Sequence, residues 1–215
     1  MDCWGKFSER RASILAVLRR REKVKYVLLV FLLISCLGFL IESVYCFGIG
    51  LGFHDRGFLI LPICPIYGVS VCLMYFLFSV PDRVCFLNRP LFEAPTSHQK
   101  LKKYCMYFVF AALLPTVAEL VTGFILDALF DLHLWHYFDY PLNFHGYVCL
   151  EISVSWGILI TVFMKFVFDR ILRFVTKIPP KTAAVISIVF GVLITIDFLF
   201  NLIYIIVTGN NLILY

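Results

Sequence analysis

The chain has 215 residues and a formal net charge of +5, and 61% of its residues are hydrophobic against only 15% charged. With a mean hydropathy of +0.91, that balance excludes an ordinary soluble domain and fits a polytopic membrane protein. The eight cysteines form no Cys-x-x-Cys pair and lie mostly inside apolar runs, so they read as small buried hydrophobes and no disulfide is expected.

Residues 1–25 hold eight Lys and Arg, and Phe7, Ile14, Leu15 and Leu18 recur among them at helical spacing. This head reads as a basic amphipathic helix on the cytoplasmic face of a membrane, in contact with anionic lipid. A short arm joined directly to a span is not expected to bind nucleic acid. The apolar run that follows is preceded by no small-residue cleavage site, which fits a retained anchor rather than a signal peptide.

Five apolar segments are predicted as spans: 26–47, 58–80, 104–130, 147–168 and 182–207. At about 1.5 Å per residue each is long enough to cross a hydrocarbon core of roughly 30 Å. They make one transmembrane domain over 26–207, followed by a short extracytoplasmic tail, 208–215. Eight Lys and Arg precede the first segment; one, Arg56, lies in 48–57; five lie in 81–103, none in 131–146, five in 165–181 and none after 207. If alternate connections lie on alternate sides, 18 positive residues share one face and Arg56 alone occupies the other. The positive-inside rule then puts the amino terminus in the cytoplasm and the carboxyl terminus outside. The predicted fold is an all-α polytopic bundle of about five helices in the cell membrane.

Residues 55–68 align without a gap on 144–157: Gly57 falls on Gly146, Phe58 on Tyr147, Leu61 on Leu150, Ile63 on Ile152, Tyr67 on Trp156 and Gly68 on Gly157. Each copy follows an apolar helix that carries a glutamate, Glu42 or Glu119. The expected unit is therefore a duplicated pair of helices, with the fifth helix added.

A charged group near the centre of a membrane helix costs about 2.5–3.5 kcal/mol on insertion scales, so intramembrane acids call for a functional hypothesis. Here they are Glu42, Glu119, Asp127, Glu151 and Asp197, all in the extracytoplasmic half under the topology above. Arg56 is the one basic residue expected there and the natural partner for Glu42, Glu119 or Glu151. Ser35, Gly38, Glu42 and Cys46 share a stripe of the first helix, and Pro115, Glu119, Thr122 and Gly123 share one of the third. Asp197, Asn201 and Tyr204 do the same on the fifth, turning it toward the bundle. The alternative is that these acids only hold helices together.

Pro62 and Pro65 allow two readings. If the segment is helical there, the carbonyls of Phe58 and Leu61 are freed and must face protein, water or ligand; equally, the prolines fit the first turn of a helix. His54, His133, His136 and His145 fall in the outer loops beside Asp131 and Asp139, but His133-x-x-His136 is a weak ligand signature and suits an aromatic belt with Trp135, Tyr137 and Tyr140, so no metal is expected. No Gly-x-x-x-x-Gly-Lys-Ser/Thr and no Gly-x-Ser-x-Gly occurs. No catalytic residue and no cofactor is assigned.

The motifs Gly38-Phe-Leu-Ile-Glu42, Arg56-Gly-Phe-Leu with Pro62 and Pro65-Ile-Tyr-Gly68, Glu119-Leu-Val-Thr-Gly123, and Trp135-His-Tyr-Phe-Asp139-Tyr-Pro-Leu-Asn143 with Gly146 to Leu150 and Trp156-Gly157 resemble the family named Putative ABC-transporter type IV. That group comprises small bacterial membrane proteins, largely from Firmicutes and relatives, labelled permease-like. The resemblance covers roughly residues 30–170. The chain departs from the family pattern at Phe39, Asp55, Leu61, His136, Phe138 and Tyr147; the last stands where arginine is frequent.

The resemblance implies a permease-like transport component. Its outward-facing polar site is expected from Glu42, Arg56, Glu119, Glu151 and Asn143, with Tyr67, Trp135 and Asp139 of the same motifs. A separate ATPase subunit and a homo-oligomer are the expected partners beside the bilayer. The competing classes are an accessory or scaffold protein with a purely structural polar core, and a membrane enzyme using Glu119 or Glu151 as general base on a lipid-linked substrate.

Overall fold

The computed structural model describes residues 20–48, 58–86, 89–91, 97–133 and 135–208. In chain order these form helix α1 (Arg20–Gly48), α2 (Pro65–Phe78), a short hairpin of β1 (Cys85–Phe86) and β2 (Arg89–Pro90), α3 (Ser97–Phe130), a second hairpin of β3 (Asn143–Phe144) and β4 (Val148–Cys149), then α4 (Leu150–Phe166), α5 (Phe168–Val175) and α6 (Pro180–Thr208). The basic head expected over 1–25 lies largely outside the described residues, as do Arg56 and the tail after 208.

Among the described residues three helices, over Val24–Gly48, Gln99–Phe130 and Pro180–Thr208, are long and apolar enough to cross a membrane. The pair α4 and α5, bent by 51° at their junction, is a fourth if it counts as one span. The second expected segment, 58–80, becomes a helix only from Pro65 to Phe78, 14 residues or about 21 Å of rise. The prolines explain the late start. Leu61 and Cys64 each precede a proline and are pushed from the α region, and Cys64 sits at φ −108°, ψ 96°. Pro65 then takes the first helical position, where its missing N–H leaves no bond unmade. The freed carbonyls of Phe58 and Leu61 considered above therefore do not arise, since no helix runs through 58–64.

The outer surface is far more apolar than that of a water-soluble bundle, over an interior that is apolar with a few polar groups. Ser35, Ser70, Glu119, Asp197 and Asn201 are buried, whereas Leu40, Val44, Phe124, Leu129, Ile158, Val162, Phe200 and Val207 are exposed. Apolar side chains face outward because lipid, not water, surrounds them.

Two helix pairs carry the bundle. α2 lies so close to α1 that a Cβ on Gly68 would stand 2.6 Å from the Phe31 ring and 2.8 Å from the Phe31 carbonyl, and would collide with the Ser35 hydroxyl. α4 lies as close to α3, where a Cβ on Gly157 would stand 2.6 Å from the Phe108 ring and 3.1 Å from Ala112 Cβ. Phe31 and Ser35 plus 77 positions are Phe108 and Ala112; Gly68 plus 89 is Gly157. Equivalent glycines thus meet equivalent places on the preceding helix.

α6 covers α1 and closes the bundle. The Ser187 hydroxyl donates to the Lys25 carbonyl at 3.0 Å, and the Tyr26 hydroxyl to the Ile178 carbonyl at 2.9 Å. At the same end Lys103 Nζ donates to the Asp82 carbonyl at 2.9 Å, the Tyr104 hydroxyl bonds the Asp82 carboxylate, and Lys165 Nζ stands 4.7 Å from the centre of the Tyr104 ring. α5 occupies part of what the sequence suggested was a polar connection. It is amphipathic, with Phe168 and Val175 buried and Asp169, Arg170 and Arg173 exposed.

Candidate functional site

α3 delivers Glu119 to the interior, where the side chain is 6% exposed. The Trp156 indole N–H on α4 donates to Glu119 Oε1 at 2.9 Å, and Oε2 has no hydrogen-bond partner among the described residues. The Tyr67 ring on α2 packs on the same indole with centroids 4.7 Å apart. Tyr67 is brought there by Gly38 of α1, where any Cβ would strike the tyrosine ring. Glu42, one helical turn beyond Gly38, lies near enough to act electrostatically on both Tyr67 and Glu119.

Glu119 is hydrogen-bonded to Trp156, Glu42 acts electrostatically on Tyr67, and the two rings meet between the acids. Glu42 plus 77 positions is Glu119, and Tyr67 plus 89 is Trp156, the same two offsets that relate the glycine contacts. Beside them a small apolar cavity of about 30 Å³ is lined by Gly38, Ile41, Tyr67 and Trp156 among others.

Asp197 of α6 supports the site from the other side. Its carboxylate accepts the backbone N–H groups of Ile60 at 3.2 Å and Leu61 at 2.9 Å, and the Asn201 side-chain amide at 2.9 Å. The Cys64 N–H reaches the Ser35 carbonyl at 3.1 Å. A non-helical segment packed among helices needs its backbone donors met by protein, and this carboxylate meets two of them. Asp197 was recognisable as a buried acid on a polar stripe, but its attachment to residues 60 and 61 was not, because nothing in the chain records which backbone groups lie 137 positions away.

The remaining candidates sit elsewhere. Asn143 donates to the carbonyls of Tyr140 at 2.9 Å and Phe138 at 3.2 Å and accepts from the Gly146 N–H at 3.1 Å, which holds the turn containing His145 (φ 51°) and Gly146 (φ 72°). Trp135 donates to the Tyr147 carbonyl at 2.9 Å. Both build the loop between α3 and α4. Asp139 is exposed on that loop, and Glu151, exposed in the first turn of α4, acts electrostatically on Tyr140 rather than on the Glu119 pair. Arg56 lies outside the described residues.

Asp127, Asp131 and His133 bring one possible metal-ligand atom each within 4.8 Å of one another. His133 Nε2 stands 3.5 Å from Asp127 Oδ1, the Tyr147 hydroxyl bonds Asp127, and the His136 ring stacks on His133 at 5.1 Å.

Long apolar helices with lipid-facing surfaces and buried acids between them define an integral membrane helical protein. The chain belongs to the family described as Putative ABC-transporter type IV, whose model matches residues 29–202. Comparison with curated proteins and with solved structures returned no match.

Proposed function

We propose that this protein is a permease-like transport component of the cell membrane, with a polar site between its helices that opens to the extracytoplasmic side. The observation that carries the reading is Glu119, a carboxyl 94% buried with one oxygen unpartnered among the described residues. A group meant only to join helices gains nothing from a vacant oxygen, whereas a site for a ligand needs one. Glu42, Tyr67 and Trp156 complete the inner site. Arg56 serves as its outer cation, and Glu151, Asn143, Trp135 and Asp139 form the entrance.

Under this reading the chain crosses five times, with α2 and the segment before it making the second crossing, the amino terminus inside and the carboxyl terminus outside. The unit α1–α2 is duplicated as α3–α4. The common offsets of 77 and 89 support this, because chance similarity between apolar helices would not also repeat which residue touches which. Arg170 and Arg173 on the exposed face of α5 would present a cytoplasmic docking surface to a separate ATPase subunit, and a homodimer would enlarge a pore that five helices make small.

The experiment is purification from the native membrane followed by an assay of ATP hydrolysis. The reading expects an associated Walker-motif ATPase whose retention falls when Arg170 and Arg173 are both changed to Glu. A purified protein without ATPase, still functional in the cell, would contradict it and favour a scaffold.

A further inference from the structure

Resting on the reading of α1–α4 as the site-bearing bundle, we propose that Glu119 is a proton-binding site, holding its proton in the closed arrangement seen here and exchanging it when the bundle opens to water. Glu119 Oε1 takes a single neutral donor, the Trp156 indole, and Oε2 takes none among the described residues. The groups that face it or its aromatic partner are Glu42 from α1, Tyr67 from α2 with Cys64 just before it, Trp156 from α4 and Tyr137 from the outer loop. Among the described residues none of these is cationic, and Glu42 is a second acid.

An ionised carboxylate buried without a compensating charge is far more costly than the neutral acid, and a nearby second carboxylate adds repulsion. The occupant of the free oxygen must therefore bring positive charge with few demands on geometry. A metal ion would need about four to eight ligands, and Glu119 offers one open oxygen, Oε2, without a hydrogen-bond partner among the described residues. A proton needs one. Because the indole reads Oε1 directly, gain or loss of this proton changes the environment of Trp156 and, through the stacked rings, of Tyr67.

The test uses the whole protein in lipid nanodiscs, with Trp4 and Trp135 changed to Phe so that emission reports Trp156. Titrated with acid and base between about pH 5 and about pH 9, the emission should follow a single reversible titration that is absent from Glu119→Gln and retained, with a shifted midpoint, in Glu42→Gln. An emission that does not change with pH, or one that changes equally in Glu119→Gln, overturns the proposal. Should Glu119→Gln fail to fold, dicyclohexylcarbodiimide, which reacts from the lipid phase with protonated carboxyls, decides on the unsubstituted protein. Peptide mass spectrometry should find the adduct on Glu119, and less of it as pH rises; no adduct on Glu119 at any pH overturns the proposal. Neither readout involves transport, so a negative result removes the proton site alone, and the permease reading stands or falls on the ATPase assay.

Discussion

The indole of Trp156 donates a hydrogen bond to the carboxyl of Glu119 at 2.9 Å across the contact between α3 and α4. With the other oxygen unpartnered among the described residues, this is the one bond that satisfies the acid. Trp156→Phe keeps the ring against Tyr67 but removes the donor. It should cost about 1–3 kcal/mol, the usual penalty for stranding a buried polar group, read as a lower melting temperature in detergent. Trp156→Phe combined with Glu119→Leu should recover most of that loss, because both partners are then gone.

The two glycine contacts predict a contrast within one residue type. Gly68→Ala and Gly157→Ala each force a methyl into the neighbouring helix and should destabilise by about 1–3 kcal/mol, since the atoms met include the Phe31 backbone carbonyl and the Ala112 methyl. A Cβ at Gly191 meets nothing within 4 Å. Gly191→Ala should therefore be tolerated or slightly stabilising, by up to about 1 kcal/mol of helix propensity. Thermal melts of the three variants check this.

Asp197 holds the non-helical entry to α2 by two backbone bonds. Asp197→Ala should loosen that segment, and limited proteolysis between residues 58 and 64 should speed up while cleavage near β3 and β4 stays unchanged. Asp197→Asn leaves one acceptor oxygen and should fall between the two. Equal cleavage in all three proteins would mean that the segment is held by its other contacts, such as the Cys64 bond to Ser35.

The topology predicts opposite accessibility for two positions. In a background without native cysteines, a single cysteine at position 210 should react with an impermeant reagent on intact cells, and one at position 95 only after the membrane is opened. The reverse pattern would invert the molecule and detach the basic residues from the cytoplasm.

Much of this was legible in the chain. The three long apolar helices and the family were announced by apolar length and by motifs such as Gly38 to Glu42, whereas the bend between α4 and α5 was not, since the apolar run was read as one straight span. Tyr67 and Trp156 aligned in sequence, yet that they touch could not be read there, because contact between equivalent residues depends on where the two units meet. The 14-residue length of α2 was missed because the apolar run of 58–80 is continuous while Pro62 and Pro65 restrict the backbone before them. The hydrogen bonds by which Asn143 and Trp135 brace their own loop were not legible either, because a polar side chain in a motif does not say which backbone group it meets.

The central claim is that the cluster of Glu42, Tyr67, Glu119 and Trp156 is a working site that meets the outside, and substituted-cysteine accessibility at Thr122 tests it most directly. Thr122 is half-buried on α3, one turn beyond Glu119. In intact cells carrying Thr122→Cys as the sole cysteine, a water-soluble, membrane-impermeant thiol reagent should label it from the extracytoplasmic side, at a rate that changes when Glu119→Gln is added. A cysteine that stays unlabelled from that side, in protein shown to be folded, would mean a sealed core whose acids only join helices.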